Sequence, residues 1–177
     1  MNTAPLLREL TDVDRPLIER LWQLYSHDMS ELRGTVPNEE GLYKAGRLPG
    51  YFDDAGSRGF LISHDGAVVG FAFVSGLDTE LRHVGDFFVV RAVRRHGVGF
   101  RAARELIDRY PGQWEVGFQG GNRGAPEFWR RVASDAARDD WREERRPVPG
   151  KPHIPHDHFI LFSVQAARPT TSSWPAP

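Results

Sequence analysis

The chain has 177 residues, of which 40% are hydrophobic, and a formal net charge of −1, which suits one globular domain with a buried core. This balance gives no general attraction to nucleic acid or to an anionic membrane, and the lack of cysteine excludes disulfides, thiolate metal sites and an acyl-cysteine intermediate. Without a signal peptide or an apolar run near the roughly 18 residues of a membrane span, we expect a soluble cytoplasmic protein.

The first third of the chain predicts a strand, a helix and a long irregular segment. A short strand is expected at 6–10, and the helix begins after the acidic pair Asp12 and Asp14. Its buried stripe is predicted from apolar residues spaced by four, seven and eight positions: Leu17, Leu21, Leu24 and Tyr25. Residues 25–59 are polar and rich in glycine, so we expect surface loops with one short helix.

The middle of the chain reads as an antiparallel hairpin followed by a third strand. Residues 59–76 hold two apolar runs around Asp65-Gly66, a strong tight-turn signal. The third strand lies at 82–90. A helix from Gly99 to Tyr110 and a strand at 113–118 follow, so that residues 84–118 have the length of a parallel crossover.

The last third predicts one more helix and two strands. The helix has one apolar face formed by Ala125, Phe128, Trp129, Val132, Ala133 and Ala136. Strands are expected near 141–145 and at 158–164, separated by a proline-rich loop. We therefore predict one domain over 1–165, and the composition of 166–177 is typical of a disordered end.

The segment VVRAVRRHGVGFRAA, residues 89–103, admits three kinds of ligand. A dinucleotide is suggested by the match of Gly97 to Ala102 to G-x-G-x-x-A, but six residues separate Val90 from Gly97, whereas the fingerprint glycine follows its strand directly. Nucleic acid is an alternative through the arginines, although no recognised motif or aromatic platform accompanies them. Those arginines are Arg91, Arg94, Arg95, Arg101 and Arg104.

The third ligand is a pyrophosphate, because glycines before a helix allow backbone N–H groups and the helix dipole to converge on an anion. Arg94-x-x-Gly97-x-Gly99 resembles the acyl-CoA signature, Q/R-x-x-G-x-G/A, of the GNAT superfamily of N-acyltransferases. Asn122 to Trp129 resembles a second segment of that family, in which an aromatic residue follows a cofactor-contacting asparagine by seven positions. A plain glycine turn is the alternative explanation for the first motif taken alone.

The resemblance implies an α/β (α+β) fold with a mixed, mostly antiparallel sheet, flanked by helices, whose central parallel strands splay apart to hold acyl-CoA. It also implies transfer of an acetyl group from acetyl-CoA to a primary amine by direct attack in a ternary complex. Pantetheine would pair with the backbone of Phe87, Phe88, Val89 and Val90. The pyrophosphate would contact Arg94, Arg95, His96, Gly97, Val98, Gly99 and Phe100, and the cofactor would also touch Asn122 and Trp129.

Catalysis of this kind needs a proton acceptor and a donor for the oxyanion. By resemblance the base is His83, with Asp86 and Glu115 as rivals, and the oxyanion donor is a backbone N–H near Val89 or Val90. Trp129 departs from the family, since it stands where many members have a tyrosine that protonates the leaving thiolate. A non-catalytic module that binds acyl-CoA or a partner protein therefore stays open as an alternative.

The amine acceptor is expected to meet residues near the end of the first helix, or else these residues cap that helix and face water. They are Tyr25, His27, Asp28, Ser30 and Glu31. A second cluster, His153, His156, Asp157 and His158, is predicted to belong to a loop at the acceptor mouth and not to a metal site. The acceptor, a small molecule or a peptide, stays unassigned, and a homodimer stays open.

Overall fold

A seven-stranded sheet with four helices forms the computed structural model of the chain, which describes residues 6–166. The strands are β1 (Leu7–Glu9), β2 (Arg58–His64), β3 (Ala67–Ser75), β4 (Leu81–Val89), β5 (Gly112–Phe118), β6 (Trp141–Arg146) and β7 (Asp157–Val164). The helices are α1 (Arg15–Arg33), α2 (Leu48–Asp53), α3 (Val98–Arg109) and α4 (Ala125–Ala137). None of the helices within 6–166 combines the length and apolar character needed to cross a membrane. The tail predicted at 166–177 lies, apart from its first residue, outside the described residues.

The sheet has the order β1-β2-β3-β4-β5-β7-β6, and every neighbouring pair is antiparallel except β4 and β5. The parallel pairing runs from Leu81 opposite Gln113 to Val84 opposite Val116 and then ends. β5 stays paired with β7 up to Phe118, so the two central strands separate while β5 keeps its other partner. We call the gap beyond Val84 and Val116 the β4–β5 opening. The predicted mixed, mostly antiparallel sheet with one parallel pair and flanking helices is confirmed.

A β-bulge lies on β4 where it begins to leave β5. Ala72 pairs with Phe87 and Val74 with Val84, so two steps along β3 correspond to three along β4. An extra residue reverses the alternation of side chains beyond it and bends the strand. As a result Val84 and Phe87 both pack on the α3 and α4 side, while Asp86 faces α1 and α2.

Each face of the sheet is covered by one pair of helices and has its own apolar core. On the α3 and α4 face the helices contribute Val98, Ala102, Ala103, Leu106, Ile107, Val132 and Ala133. These spacings of three and four residues form one helical stripe, which explains why the two amphipathic segments pack on the sheet. On the other face the core is aromatic, with Trp22, Tyr25, Phe71, Phe73 and Phe88.

Helix α1 is longer than the sequence suggested. It continues through residues 25–33, which were assigned to the loop-rich segment, and ends at Gly34 in the left-handed region with φ 61°. The predicted buried stripe is also partly wrong, because Leu24 is 52% exposed. Ile18 and Trp22 are buried instead, at the three- and four-residue spacings that align with Leu21 and Tyr25.

An ion cluster joins α4, β6 and β7. Arg130 donates from Nε and Nη2 to the carboxylate of Glu143 at 2.6 and 2.9 Å, and His158 Nδ1 lies 2.5 Å from the same carboxylate. The hydrogen bonds from Arg130, reinforced by His158, lower the pKa of Glu143 to about 2. Ionised Glu143 therefore stabilises the folded chain at neutral pH and loses this contribution as the pH falls from its unfolded pKa of about 4.3.

We expect Glu143→Gln to lower the free energy of unfolding by about 1–2 kcal/mol at pH 7, because the charged hydrogen bonds are lost. The difference from the wild type should shrink between about pH 4.5 and pH 2, because protonation of Glu143 removes the same bonds from the wild type. Urea unfolding at several pH values measures the free energy of unfolding of both proteins, and so their difference. Glu39→Gln, which removes an exposed carboxylate outside this cluster, is the control, and a difference that stays constant with pH would contradict the assignment.

Candidate active site

The β4–β5 opening exposes the backbone of only half of the β4 residues. The N–H of Val90 donates to the carbonyl of Val69 on β3 at 2.8 Å. Because backbone groups alternate along a strand, Phe88 and Val90 face β3, whereas Phe87 and Val89 face the side from which β5 has separated. Within the described chain, Phe87 and Val89 have no strand partner on that side.

This alternation narrows the sequence-based assignment for pantetheine. Of the four residues proposed to pair with it, only Phe87 and Val89 direct their backbone groups into the opening. The sequence left two candidates for the oxyanion donor, the N–H groups of Val89 and Val90. The N–H of Val90 is already bound to the Val69 carbonyl, so the N–H of Val89 is the candidate that remains. The carbonyl of Val89 accepts a 2.7 Å hydrogen bond from Arg94 Nε.

The segment 95–100 forms the turn that opens α3, and it leaves a run of backbone N–H groups without acceptors. Arg95 and Gly97 both have positive φ, 68° and 77°, and the first helical bond runs from Arg101 N–H to the Gly97 carbonyl. Among residues 6–166, none accepts a hydrogen bond from the backbone N–H groups of 95–100. Free N–H groups at a helix start, with the positive end of its dipole, form an anion site.

Two arginines of this region are tied to α1 through Asp28. Arg91 Nε lies 2.8 Å from Asp28 Oδ1, and Arg94 Nη2 donates to the other oxygen. The Asp28 side chain is 15% exposed. Arg94 is held at two nitrogens of its guanidinium, because Nη2 binds Asp28 and Nε donates to the Val89 carbonyl. Asp28 therefore connects α1 with the turn and does not project freely towards an acceptor.

The far side of the opening is formed by α4 and the turn before it. Asn122 lies in this turn, where its N–H donates to the Gln119 carbonyl at 2.9 Å. Trp129 is 7% exposed and packs edge-on against Phe87, with ring centroids 5.4 Å apart. Sequence reasoning gave no role to Gln119, whose Oε1 is buried and has no hydrogen-bond partner within the described residues.

On the α1 and α2 face, a cavity of about 410 Å³ adjoins the point where β4 and β5 separate. We call it the α2 cavity, and its lining includes Arg47, Tyr51, Ser75, His83, Glu115 and Phe159. His83 and Glu115 are register partners on the parallel strands, with His83 Nδ1 3.5 Å from Glu115 Oε1. Arg146 binds the other oxygen of Glu115 at 2.8 Å. Two of the three residues proposed as base thus meet in one cavity.

The third, Asp86, is separated from that cavity. Its side chain is 1% exposed and is enclosed by Tyr25, Arg47 and Tyr51, which all donate to it. Burial and the neighbouring Asp86 carboxylate raise the pKa values of both Tyr25 and Tyr51, so both hydroxyls stay protonated and act as donors.

The residues proposed near the end of α1 do not line the α2 cavity. Tyr25 belongs to the Asp86 cluster, and Asp28 holds the two arginines. His27 Nδ1 lies 3.3 Å from the Tyr43 hydroxyl, and Ser30 Oγ donates to the His27 carbonyl. Glu31 is exposed. Their contact with an acceptor stays a prediction.

Sequence reasoning missed two residues that line the α2 cavity, Arg47 and Tyr51, and the partner of Glu115, Arg146. Arg47 and Tyr51 lie in the irregular region after α1, and Arg146 ends an edge strand. The signal that could have found them is a buried carboxylate on a central strand, which requires cationic or hydroxyl partners.

Within 6–166 no three His, Cys, Asp or Glu side chains are grouped as metal ligands, and the His158 ring stacks on Phe118.

A parallel strand pair that opens beside the turn 95–100, with a cavity next to the point where the strands separate, is the arrangement that the sequence resemblance implied. Residues 18–133 match the model of the Acetyltransferase (GNAT) family, and the chain belongs to this family. The resemblance drawn from the two sequence motifs is confirmed. No curated protein sequence matches the chain.

Solved structures share this fold at low sequence identity. The ribosomal-protein-S18-alanine N-acetyltransferase from Escherichia coli is 13% identical with a TM-score of 0.62, covering 91% of this chain and 94% of that one. A mutant spermidine N-acetyltransferase from Vibrio cholerae is 11% identical with a TM-score of 0.60, covering 89% and 94%. A ribosomal L7/L12 alpha-N-protein acetyltransferase in complex with coenzyme A is 11% identical with a TM-score of 0.66, covering 92% and 98%.

Proposed function

We propose that the protein is an N-acetyltransferase that transfers the acetyl group of acetyl-CoA directly to a primary amine in a ternary complex. The observation that carries the proposal is the β4–β5 opening, which has free backbone groups of β4, the unpaired amides of 95–100 at one end and His83 in a cavity at the other. Without cysteine the chain cannot form an acyl-cysteine intermediate, which favours direct attack.

The described residues fit acetyl-CoA in two respects. The amides of 95–100 suit the diphosphate, because they lack acceptors at the start of a helix. The backbone N–H and carbonyl of Phe87 suit the amides of pantetheine, which would add to β4 like a strand. The N–H of Val89 is left for the oxyanion, and its carbonyl is bound by Arg94. Acetyl-CoA supplies the activated acyl group, and these protein groups orient it.

His83 is the residue we assign as general base. It is 41% exposed in a cavity that a substrate can enter, and a neutral imidazole can accept a proton near neutral pH. The amine nitrogen attacks the thioester carbon as its proton passes to His83, while the Val89 N–H stabilises the oxyanion and the thiolate leaves. Glu115, held by Arg146, then faces the imidazolium and stabilises its charge.

Trp129 does not supply an acid, because the indole N–H does not titrate in the accessible range. A thiolate leaves without strong acid assistance, since a thiol has a pKa of only about 8.5. We expect Trp129→Phe to keep kcat within about threefold of the wild type, because the ring still packs on Phe87. A fall in kcat of a hundredfold or more would show that the indole takes part in the reaction.

The class of amine acceptor can be tested with a panel that starts from the substrates named for the structural relatives. Two of those relatives are N-acetyltransferases of ribosomal proteins and one is a spermidine N-acetyltransferase. We therefore propose spermidine, free lysine, an aminoglycoside and a peptide with a free amino terminus as a first panel. Release of free thiol from acetyl-CoA is a clean assay here, because the protein has no cysteine to react with a thiol reagent.

Calorimetry with acetyl-CoA, followed by the thiol assay over this panel, tests the proposal. Binding together with amine-dependent thiol release is expected. No binding at millimolar acetyl-CoA would overturn the enzyme assignment. Binding without release for any amine would favour the non-catalytic acyl-CoA-binding module, to which the replacement of the family tyrosine by Trp129 also points.

A further inference from the structure

Asp86 is a buried carboxylate whose four hydrogen bonds leave no room for a substrate proton. Oδ1 accepts from the Tyr25 hydroxyl at 2.5 Å and from Arg47 Nη2 at 3.1 Å. Oδ2 accepts from the Tyr51 hydroxyl at 2.8 Å and from Arg47 Nε at 2.7 Å. With two donors on each oxygen and 1% exposure of the side chain, this carboxylate has no oxygen placed to take a proton from a substrate.

The donors to Asp86 come from elements that are far apart in sequence. Tyr25 lies in α1, Tyr51 in α2, and Arg47 is the residue before α2. Asp86 itself lies in the bulge of β4, one residue after Gly85, where β4 and β5 begin to separate. The carboxylate therefore joins both helices of this face to the site at which the sheet opens.

The same contacts fix one wall of the α2 cavity. Arg47 and Tyr51 line it, and Arg47 Nη2 also donates to the Gly85 carbonyl at 3.2 Å. The Tyr51 ring stacks on Phe73 with centroids 4.3 Å apart. Its hydroxyl lies so close to Gly85 that a Cβ there would be 2.1 Å from it, so only glycine permits this approach.

Helix α2 depends on these contacts because it is short. It has six residues, no side-chain cap at its start, and only Leu48 fully buried. A helix of this length is not stable through its own hydrogen bonds and needs tertiary contacts. Asp86 supplies two of these contacts directly, through Arg47 and Tyr51.

We propose that Asp86 is a positioning residue for the amine acceptor, which holds Arg47, Tyr51 and α2 as the wall of the α2 cavity opposite His83 and Glu115. The inference rests on the proposed acetyl transfer, with the α2 cavity as the acceptor site. Asp86 acts through Arg47 and Tyr51 and does not itself touch the reacting atoms. Its role therefore differs from that of His83, which faces the cavity and takes the proton.

The experiment is Asp86→Asn, which keeps the size of the side chain. It replaces one carboxylate oxygen by an NH₂ group, which cannot accept the two hydrogen bonds that this oxygen receives. We expect the KM for the fastest amine among spermidine, lysine and the peptide to rise by about tenfold or more, which corresponds to about 1.4 kcal/mol. We expect kcat to change by less than about fivefold and the ascending limb of the pH profile to persist, because the base is intact. The Kd for acetyl-CoA should stay within about twofold, because the turn 95–100 is untouched.

Tyr51→Phe covers the case in which the Asn variant does not fold, since it removes one donor and leaves the ion pair of Asp86 with Arg47. It should raise the same KM by a smaller factor, about threefold. Tyr110→Phe, a tyrosine at the end of α3 remote from this cluster, is the matched control and should change neither KM nor kcat.

Hydrogen exchange over residues 48–53 supplies a readout that does not need activity, and it should speed up in Asp86→Asn. A collapse of kcat with loss of the ascending limb would identify Asp86 as the base and overturn the inference. Unchanged KM and unchanged exchange would also overturn it. A wild type that transfers to no amine would overturn the proposed function instead, and the exchange result would still decide whether Asp86 holds α2.

Discussion

Replacement of His83 by glutamine is expected to lower kcat for acetyl transfer by about 10²- to 10⁴-fold at pH 7, the usual contribution of a general base. The imidazole faces the α2 cavity at the place where β4 and β5 part, and glutamine keeps polarity without accepting a proton. The ascending limb of the kcat/KM profile should disappear, because the group that must be deprotonated is gone. Steady-state thiol release from pH 5.5 to 9.5 measures both effects.

Two further variants make this result specific. Glu115→Gln should lower kcat by about tenfold, less than the loss of His83, because Glu115 stabilises the imidazolium charge and does not take the proton. His64→Gln, at the end of β2 in the hairpin, should leave kcat unchanged. If Glu115→Gln abolishes the ascending limb while His83→Gln keeps it, the two roles are exchanged and Glu115 is the base.

The parts of the fold that sequence could predict depend on neighbouring residues. The Asp65-Gly66 turn is one example, because both residues adopt the positive φ values, 49° and 79°, that a tight hairpin requires. The turn 95–100 is another, because its strand, glycines and helix are consecutive. In both cases the residues that determine the geometry lie within a few positions of each other.

The parts that sequence could not predict depend on contacts between distant segments. Asp86 and Tyr25 are 61 positions apart, and Asp86 and Arg47 are 39 apart, so no local pattern pairs them. The bulge on β4 adds a second difficulty, because one inserted residue reverses which side chains face α2. The bulge places Asp86 on the same face as His83, although residues three positions apart on a regular strand point to opposite faces.

The end of α1 illustrates the same limit. Its polar residues looked like part of a loop, since helix propensity is weak information where tertiary contacts decide. In the structure Tyr25 and Arg33 contact each other, with the Arg33 guanidinium 5.3 Å from the Tyr25 ring, and Asp28 pairs with the two arginines near the turn. These contacts keep the last turns of α1 helical and connect them to the opening.

Gly99→Leu is expected to weaken acetyl-CoA binding by about 100-fold or more, equivalent to roughly 2.7 kcal/mol, while the protein stays folded. A Cβ at residue 99 would lie 3.6 Å from Phe128 and from Val89 and 3.7 Å from Phe87. The first carbon of a side chain therefore fits at ordinary contact distance, but the further carbons of leucine must enter the space beside the β4–β5 opening. These carbons would occupy the space that the diphosphate and pantetheine need, and they would keep the diphosphate away from the backbone N–H groups of 95–100.

Gly99→Ala is the matched variant for this prediction, because it adds only the Cβ that the structure accommodates, and φ at residue 99 is not in the left-handed region. Its Kd for acetyl-CoA should stay within about threefold of the wild type, since the N–H groups of 95–100 keep their positions. Calorimetry gives the affinities, and thermal unfolding shows whether each variant is folded. A leucine variant that is folded and binds acetyl-CoA as tightly as the wild type would place the diphosphate elsewhere, and the opening between β4 and β5 would then lose its assigned ligand.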